Sequence, residues 1–370
     1  MKISPLNKLQ LKSGVSLYKG ELDQRYLIGT LRKRVTLALP LAPAIYAALK
    51  RGCTLAELAS TMSIPTAELE AVITELNQYE FLETESSSIQ LSQRFISNIA
   101  ERAAKSGDRS KDASFSRIKS RTTPELTTAR WLPEVFDSGV SKVSARQSAH
   151  IEISGNSRAA QHLFAILVAS GVINTQFAPT FRRGRELVND LDISGGYIKA
   201  TDIGQLFTTV SEENAKGLAL FPQTINESAA EIPDNFLEKV LKIHFGEIDS
   251  AISALWMASR QEHILISEIS GGLIWISPLV RPGTGPCNRC FQLTLAEQMG
   301  VTELEGAQSP DELPVVGAHF LAALLASTVL QMIDSSESPL MTHGVLIDLL
   351  DICNTKHIAL ARHPKCGCSW

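Results

Sequence analysis

The sequence predicts an α/β protein of two domains, with a small α+β domain ahead of a larger α/β domain. The first part of the chain shows short strand-like runs and then three amphipathic helices. The second part alternates strands with helices, the pattern of a sheet covered by crossover helices. Between them, a polar segment rich in Lys, Arg and Ser lacks apolar periodicity. We therefore expect domains at residues 1–95 and 131–370, joined by a linker at 96–130.

The composition is that of a globular protein and gives no sign of a nucleic-acid or membrane partner. The chain has 370 residues, of which 44% are hydrophobic and 20% charged, enough to build two cores. A net charge of −4 gives no basic footprint for nucleic acid or for a membrane surface. The N-terminus lacks a signal peptide, and no apolar run approaches the ~20 residues that cross a bilayer. We expect a cytoplasmic protein without nucleic-acid or membrane partners.

The first domain opens with three strands and continues with three helices. The runs at 15–18, 25–29 and 34–39 combine alternation with β-branched and aromatic residues, which favours strands. The first helix is predicted at Ala42–Arg51, because Gly52 follows as a C-cap. These elements give the domain a small antiparallel sheet ahead of its helices.

Two sequence signals define the second and third helices. Thr54 with Glu57 forms a capping box, which starts the second helix. The third starts near Thr66, and its apolar residues recur at spacings of three and four along one face. These residues are Leu69, Val72, Ile73 and Leu76.

A pair of strands at 81–83 and 89–91, joined by a Ser-rich turn, completes the pattern of a winged helix-turn-helix. DNA binding is the common use of that fold. The third helix, however, carries Glu68, Glu70, Glu75 and Glu80 and no Lys or Arg, so phosphate would repel it. We therefore favour peptide binding, in which an extended ligand adds to the exposed edge of the three-stranded sheet.

The second domain begins with a strand, a glycine turn and a helix. The strand at 150–153 leads into Gly155, Ser157 and Arg158, and the helix ends near Gly171, as in a nucleotide-binding βαβ unit. Ser157 occupies the second glycine position, where a side chain crowds the approach of a phosphate. The sequence therefore argues against bound ATP, although the helix N-terminus keeps N–H groups that hold an anion weakly.

Further strands and a long helix extend this pattern to the C-terminus. Strands are predicted at 172–177, 217–221, 263–267 and 273–276, and an apolar helix at 318–333. Their alternation predicts a Rossmann-like sheet with helices packed on it.

Four cysteines form two short pairs that predict a structural zinc site. Cys287 and Cys290 form a C-x-x-C, and Cys366 and Cys368 a C-x-C near the C-terminus. In a reducing compartment such pairs hold metal more often than they form disulfides, and four thiolates leave no open position on Zn²⁺. A redox C-x-x-C is the main alternative. His363 is an alternative ligand.

Four short segments follow the first domain along the chain. They are, in order, GNSRAA at 155–160, GGYIKATDIG at 195–204, SPLVRPG at 277–283 and HPKCGC at 363–368. In this order the chain resembles the ThiF-like (ubiquitin-activating-enzyme-like) proteins of ribosomal-peptide clusters that make thiazole and oxazole rings. These are leader-peptide-binding partners of cyclodehydratases. The resemblance covers nearly the whole chain apart from the linker.

The resemblance implies a Rossmann-like ThiF-type domain with a structural zinc site, preceded by a domain similar to a RiPP recognition element. That element would capture the leader of a precursor peptide along its third strand and third helix. The implied contact residues are Arg34, Val35, Thr36, Leu37, Leu69, Val72, Ile73 and Leu76. The α/β domain would present the peptide to a separate YcaO-type cyclodehydratase, in the biosynthesis of a bacteriocin- or thiopeptide-like product. A homodimer would follow from analogy with the wider fold family.

Adenylating members of this family would need an intact glycine loop, an acidic residue for the ribose or metal, and an arginine at the phosphates. Of the candidate cofactor-binding residues Gly155, Ser157 and Arg158, the arginine fits best. We therefore expect no catalytic residues and no activity from the chain alone. Two alternatives stay open: an ATP-dependent adenylating enzyme acting on a peptide carboxylate or amide, and a winged-helix regulator with a sensory α/β domain.

Overall fold

The computed structural model describes residues 7–20, 25–37, 41–84, 109–155, 157–178, 186–195, 197–221, 240–302, 312–335 and 337–368. The chain divides into two compact units, Met1–Ser144 and Ala145–Trp370. We describe each unit by itself.

The first unit contains a three-stranded antiparallel sheet and a separate strand pair. Its strands are β1 (Leu9–Leu11), β2 (Ser16–Lys19), β3 (Tyr26–Gly29), β4 (Arg34–Leu37) and β5 (Leu82–Thr84). The sheet has the order β2-β3-β4, and β1 pairs with β5. The strand predicted at 89–91 lies outside the described residues, so the structure does not describe the predicted wing, and β5 has β1 as its described partner.

Three helices follow β4 at the predicted places. They are α1 (Ala42–Arg51), α2 (Leu55–Met62) and α3 (Thr66–Gln78). The predicted capping box is confirmed, because the Thr54 N–H donates to Glu57 Oε2 at 2.8 Å and the Glu57 N–H donates to Thr54 Oγ1 at 3.2 Å. The three helices share one apolar core with the sheet and with β1 and β5.

Part of the predicted linker is helical. The helices α4 (Arg109–Ala129) and α5 (Val140–Ala145) belong to the first unit, whereas the sequence placed residues 109–129 in a linker. The described part of α4 buries Ile118, Thr122 and Ala129. These three residues share one helix face, but they are few and one of them is polar, so the sequence shows no clear amphipathic stripe.

The second unit is built on a seven-stranded mixed sheet. Its strands are β6 (His150–Gly155), β7 (Asn174–Phe177), β8 (Val240–Phe245), β9 (His263–Ile266), β10 (Leu273–Ile276), β11 (His343–Asp348) and β12 (Lys356–Ala359). The strand order is β12-β11-β10-β9-β8-β6-β7. The strands β7, β6, β8 and β9 are parallel to one another, and β10, β11 and β12 continue antiparallel. This mixed α/β sheet fits the expected Rossmann-like domain.

Within the described residues, five helices accompany this sheet. They are α6 (Arg158–Ala169), α7 (Phe207–Leu218), α8 (Ser250–Ala258), α9 (Asn288–Met299) and α10 (Val315–Ser335). The strand predicted at 217–221 is wrong, because α7 runs to Leu218 and the next three residues form no strand. Leu220 and Phe221 are buried beside Gly171, which explains a short apolar run without strand pairing.

The helix α10 is long and apolar enough to cross a membrane by length and composition, a feature that the sequence argument excluded. It packs along α6, and its buried residues belong to the main core of the second unit. Those contacts make α10 a core helix of the α/β unit, because an apolar helix of that length is common inside large cores.

A buried ion pair fixes the end of α10. Arg146 is 2% exposed and donates from Nε and Nη2 to the two carboxylate oxygens of Asp334, at 2.9 and 2.6 Å. Its Nη1 donates to the Ser170 carbonyl at 2.8 Å, which ties the C-terminus of α6 to the same guanidinium. The bidentate geometry pairs both charges in a site that is almost entirely buried.

Replacing Asp334 with Ala leaves the buried guanidinium of Arg146 without its counter-charge. We expect the free energy of unfolding to fall by about 3–5 kcal/mol, measured by urea denaturation with tryptophan fluorescence. The control Asp351→Ala changes an exposed residue and should stay within about 0.5 kcal/mol of the parent. A loss below about 1 kcal/mol for Asp334→Ala would show that the pair contributes little.

Candidate functional site

The four predicted cysteines meet at one point of the second unit. Cys287 is the N-cap of α9 and Cys290 lies in its first turn, whereas Cys366 and Cys368 follow β12. The Sγ atoms are 3.8 Å apart for Cys287 and Cys290, and 3.3 Å apart for Cys287–Cys366 and for Cys290–Cys368. All four lie within 4.8 Å of one another, close enough to bind one metal ion. A tetrahedron with Zn–S bonds near 2.3 Å needs sulfur separations of about 3.8 Å, so the cluster fits that geometry after small shifts.

The surroundings of the cluster orient the sulfurs and leave His363 outside it. The His363 N–H donates to Cys290 Sγ at 3.3 Å, but its Nε2 lies 3.2 Å from Glu297 Oε2. Lys365 Nζ contacts the same carboxylate at 3.1 Å. The imidazole is therefore engaged with Glu297, and the structure supports the four sulfurs as the ligand set. The sequence did not identify Glu297, because only the fold brings α9 beside the C-terminal segment.

Burial shapes the acidity of these thiols. It raises the pKa of Cys287 to about 11 and also raises the pKa of Cys366. At Cys290 burial also raises the pKa, but hydrogen bonds from the backbone N–H of His363 and from neighbouring groups outweigh it, so the net shift is downward. Thiolates packed this closely are favourable only beside a cation.

The glycine turn is held by strand packing. Gly155 has a φ of +89°, and a Cβ at this position would lie 1.8 Å from the carbonyl oxygen of Phe245 on β8. Any other residue would therefore push β6 and β8 apart. The first glycine of the predicted nucleotide motif thus has a structural requirement that involves no ligand.

The next two residues of the turn make contacts within the chain. The Ser157 Oγ accepts from the Ala159 N–H at 3.2 Å and caps α6. Arg158 Nη1 donates to the carbonyl oxygen of Leu313 at 2.8 Å. Asn156 lies outside the described residues. The side chains that the sequence offered for a phosphate are therefore used, at least in part, to cap α6 and to contact the segment before α10.

A buried histidine lies one turn further along α6. His162 is 1% exposed, and neither ring nitrogen has a hydrogen-bond partner among the described residues. Its ring stacks on His319 of α10 with 4.1 Å between centroids. Burial, aided by the charges of His319 and Arg158, lowers the pKa of His162 to about 4. At neutral pH this imidazole is uncharged.

The predicted peptide-binding strand lies at an edge of the first unit's sheet. Among the described residues β4 pairs with β3 alone. Arg34 and Thr36 are exposed, whereas Val35 and Leu37 are 2% and 3% exposed and belong to the core. The strand thus presents one open edge and one open face.

The backbone groups on that open edge can be assigned from the ladder. The Thr30 N–H donates to the Lys33 carbonyl at 2.8 Å and closes the turn between β3 and β4. Hydrogen-bonded positions alternate along an antiparallel pair, so every second residue after Lys33 bonds to β3. The N–H and C=O groups of Arg34 and Thr36 therefore point away from β3 and are oriented to pair with an added strand.

The four predicted contact residues of α3 lie on its inward face. Leu69, Val72, Ile73 and Leu76 are 1%, 7%, 1% and 0% exposed and pack into the core of the first unit. Their contact with a leader peptide stays a prediction. The same periodicity identifies an inward helix face and a ligand-facing one, so the sequence could not distinguish the two.

The chain matches no protein-family model and no curated protein by sequence. Its structure, however, is similar to solved structures of Escherichia coli MccB. The complex of E. coli MccB with MccA-N7isoASN gives a TM-score of 0.66 at 14% identity, covering 98% of this chain and 99% of that one. The fold is that of MccB.

Two further structures give the same result. E. coli MccB with AMPCPP and SeMet MccA gives a TM-score of 0.64 at 14% identity, covering 98% and 100% of the two chains. The microcin C7 biosynthetic enzyme MccB with N-formylated MccA gives 0.61 at 16% identity, with the same coverage. At these identities the likeness establishes the fold of the chain.

The cysteine cluster predicts one zinc ion per chain. Cys366→Ser should lose most of the bound metal and lower the melting temperature, because three thiolates hold Zn²⁺ less tightly than four. Metal content by mass spectrometry and melting by calorimetry measure both effects. The matched control is Cys353→Ser, since Cys353 is exposed and outside the cluster. Parent protein from zinc-containing medium that holds no metal would contradict the prediction.

Because His162 is buried in its neutral form, we expect the protein to lose stability in mild acid. Its pKa of about 4 in the folded chain lies below the ordinary value of 6.5, so the unfolded chain binds the proton more readily. Stability should therefore fall as the pH drops from about 6.5 to 4, by up to roughly 3 kcal/mol from this residue.

His162→Phe should remove that part of the pH dependence, and the control His357→Phe, at an exposed residue, should retain it. Urea denaturation at several pH values measures the difference. If the free energy of unfolding depended on pH equally in the parent and in His162→Phe, His162 would not be buried in its neutral form.

Proposed function

We propose that this chain is a leader-peptide recognition and scaffold protein of ribosomal-peptide natural product biosynthesis. Its first unit, with the predicted winged-helix domain at 1–95, binds the leader of a precursor peptide by strand addition to β4. Its ThiF-like α/β unit, stapled by a structural zinc ion, presents the peptide to a YcaO-type cyclodehydratase in the cytoplasm. We include a homodimer of the α/β unit in the proposal, by analogy with the fold family.

The open edge of β4 is the observation that carries the proposal. Arg34 and Thr36, at alternate positions of β4, direct their backbone N–H and C=O groups away from β3. An added strand satisfies these groups with main-chain hydrogen bonds, which give affinity without demanding one sequence. Because α3 packs against β4, an added strand would lie alongside this helix and contact its rim, while its core residues stay buried.

The similarity to MccB supports a peptide ligand. The similar structures contain MccA or a derivative of it, bound to a chain that matches this one over almost its whole length. The fold therefore accommodates a peptide in at least one relative. Peptide binding in this chain follows by analogy, and the free edge of β4 gives it a physical basis.

The glycine turn favours a scaffold over an enzyme. Gly155 is required by strand packing, Ser157 caps α6, and Arg158 contacts the Leu313 carbonyl. These contacts account for the turn without a nucleotide. The four cysteine sulfurs would fill all the positions of a tetrahedral Zn²⁺, as in a structural site.

The second candidate is an ATP-dependent adenylating enzyme that acts on a peptide carboxylate or amide. The observation in its favour is the similar structure of MccB with AMPCPP and MccA, since the same fold holds a nucleotide there. In this chain, Ser157 at the second glycine position weighs against it.

Thr36→Pro tests the peptide-binding site. The Thr36 N–H points away from β3, so proline removes a donor for the ligand and leaves the β3–β4 ladder intact. Synthetic leaders from precursor genes in the same cluster should bind the full chain in fluorescence polarisation, and Thr36→Pro should weaken binding at least tenfold.

The control Lys19→Pro removes a donor at the opposite edge, because the Gly20–Arg25 hydrogen bond makes Lys19 an outward position of β2. It should bind like the parent. Leaders that bind both proline variants equally would contradict strand addition at β4. ATP turnover by the isolated chain with leader present would establish the adenylating enzyme instead.

A further inference from the structure

We propose that the peptide taken up by β4 carries an acidic residue directly opposite Arg34, next to a pair of apolar residues at alternate positions. This inference rests on the proposed function and names the chemistry of its ligand. It follows from which side chains of β4 face outward, what holds Arg34 in place, and which charges lie on each face.

The alternation along β4 divides any added strand into two faces. Val35 and Leu37 point into the core of the first unit, and Arg34 and Thr36 point to the open face. Residues directly opposite each other in neighbouring strands share a face. The peptide residues opposite Val35 and Leu37 therefore point to the side where α3 packs, and an apolar side chain suits them.

Arg34 is restrained above the open face. Its Nε donates to the Thr30 carbonyl at 3.3 Å, and its guanidinium carbon lies 5.9 Å from the centre of the Tyr18 ring. The strand order places Tyr18 two strands away, so the side chain lies back across the sheet. The sequence missed Tyr18 because only the registers of β2 and β3 bring it near Arg34.

The remaining guanidinium N–H groups give the open face of β4 a cation. A guanidinium has five donors, and the single hydrogen bond to Thr30 uses one of them. The neighbouring cation, Lys33, lies 3.6 Å from Glu80 and is partly neutralised. Arg34 is thus the cation of β4 that shares a face with a carboxylate opposite it. To reach that carboxylate its side chain turns from the Tyr18 ring toward the open edge, and the bidentate geometry that arginine favours can then form.

The acidic residues of α3 do not reverse this preference. Glu68, Glu70 and Glu75 are exposed on the helix, and α3 packs on the side of the sheet to which Val35 and Leu37 point. A peptide residue opposite Arg34 projects from the other face. The side chain of β4 directly opposite it is the cation Arg34, so a lysine in that place would be repelled.

The expected contribution of this charge pair to affinity is that of other charge pairs across neighbouring strands. An opposite-charge pair across neighbouring strands contributes about 0.2–1 kcal/mol, which corresponds to up to about fivefold in affinity. We therefore expect the charge to tune affinity and register, while the backbone hydrogen bonds provide most of the binding.

Labelled ten-residue peptides test this directly on the full chain. One series contains Glu-Leu-Thr-Leu in a Ser and Thr background, with Gln or Lys in place of Glu, and a second contains the reversed order for the opposite strand direction. Polarisation should rank Glu above Gln and Gln above Lys, with up to about fivefold per step, in one of the two directions.

Arg34→Glu should invert the ranking, so that the Lys peptide binds best, whereas Arg34→Gln should flatten it. An inversion is a result that misfolding cannot produce. If the Glu, Gln and Lys peptides bind equally and Thr36→Pro abolishes their binding, the proposed acidic residue opposite Arg34 is wrong. Strand addition at β4 is then retained. No binding of any peptide in either series, together with no binding of cluster leaders, overturns both.

Discussion

The second unit depends on one close approach between neighbouring strands. The carbonyl of Phe245 occupies the place where a Cβ of residue 155 would stand, so β6 and β8 reach their register only with glycine there. From that turn the chain enters α6, which packs against α10 in the main core. A glycine turn usually associated with nucleotides therefore has a structural requirement in this chain that holds with or without a nucleotide. Its presence alone does not imply ATP.

In the first unit, the proposed function depends on one edge of the sheet. Within the described residues, each outer strand of its sheet has one partner, and β4 is the outer strand against which α3 packs. An unpaired edge is a liability that proteins ordinarily protect with charge, and Arg32, Lys33 and Arg34 surround it here. The same charges that discourage self-association can select a ligand. Recognition and protection then arise from one set of residues.

Much of the fold follows from local signals in the sequence. The capping box at Thr54 and Glu57, the glycine turn at Gly155 and the paired cysteines each need only a few residues, and the structure places all of them as predicted. The failures involve tertiary context. The apolar run at 217–221 has the composition of a strand but forms none, and the helix α4 shows too few apolar residues to be recognised.

The candidate site shows the same division. Spacing identified the four cysteines, yet Glu297 and Tyr18 became neighbours of candidate site residues only through strand order and helix placement. The apolar face of α3 was visible in the sequence, but nothing local distinguishes a core face from a ligand-facing one. Strands β8, β11 and β12 escaped prediction because their polar residues interrupt the pattern, and sheet pairing supplied their stability.

The most direct test of the account is amide hydrogen exchange on the full chain, resolved residue by residue, with and without a bound leader peptide. Strand addition predicts that the Arg34 and Thr36 amides become protected when the peptide binds, while Leu17 and Lys19 on the outer edge of β2 exchange as before. Protection confined to the second unit, with no change along β4, would contradict it and would move the peptide site to the MccB-like α/β unit.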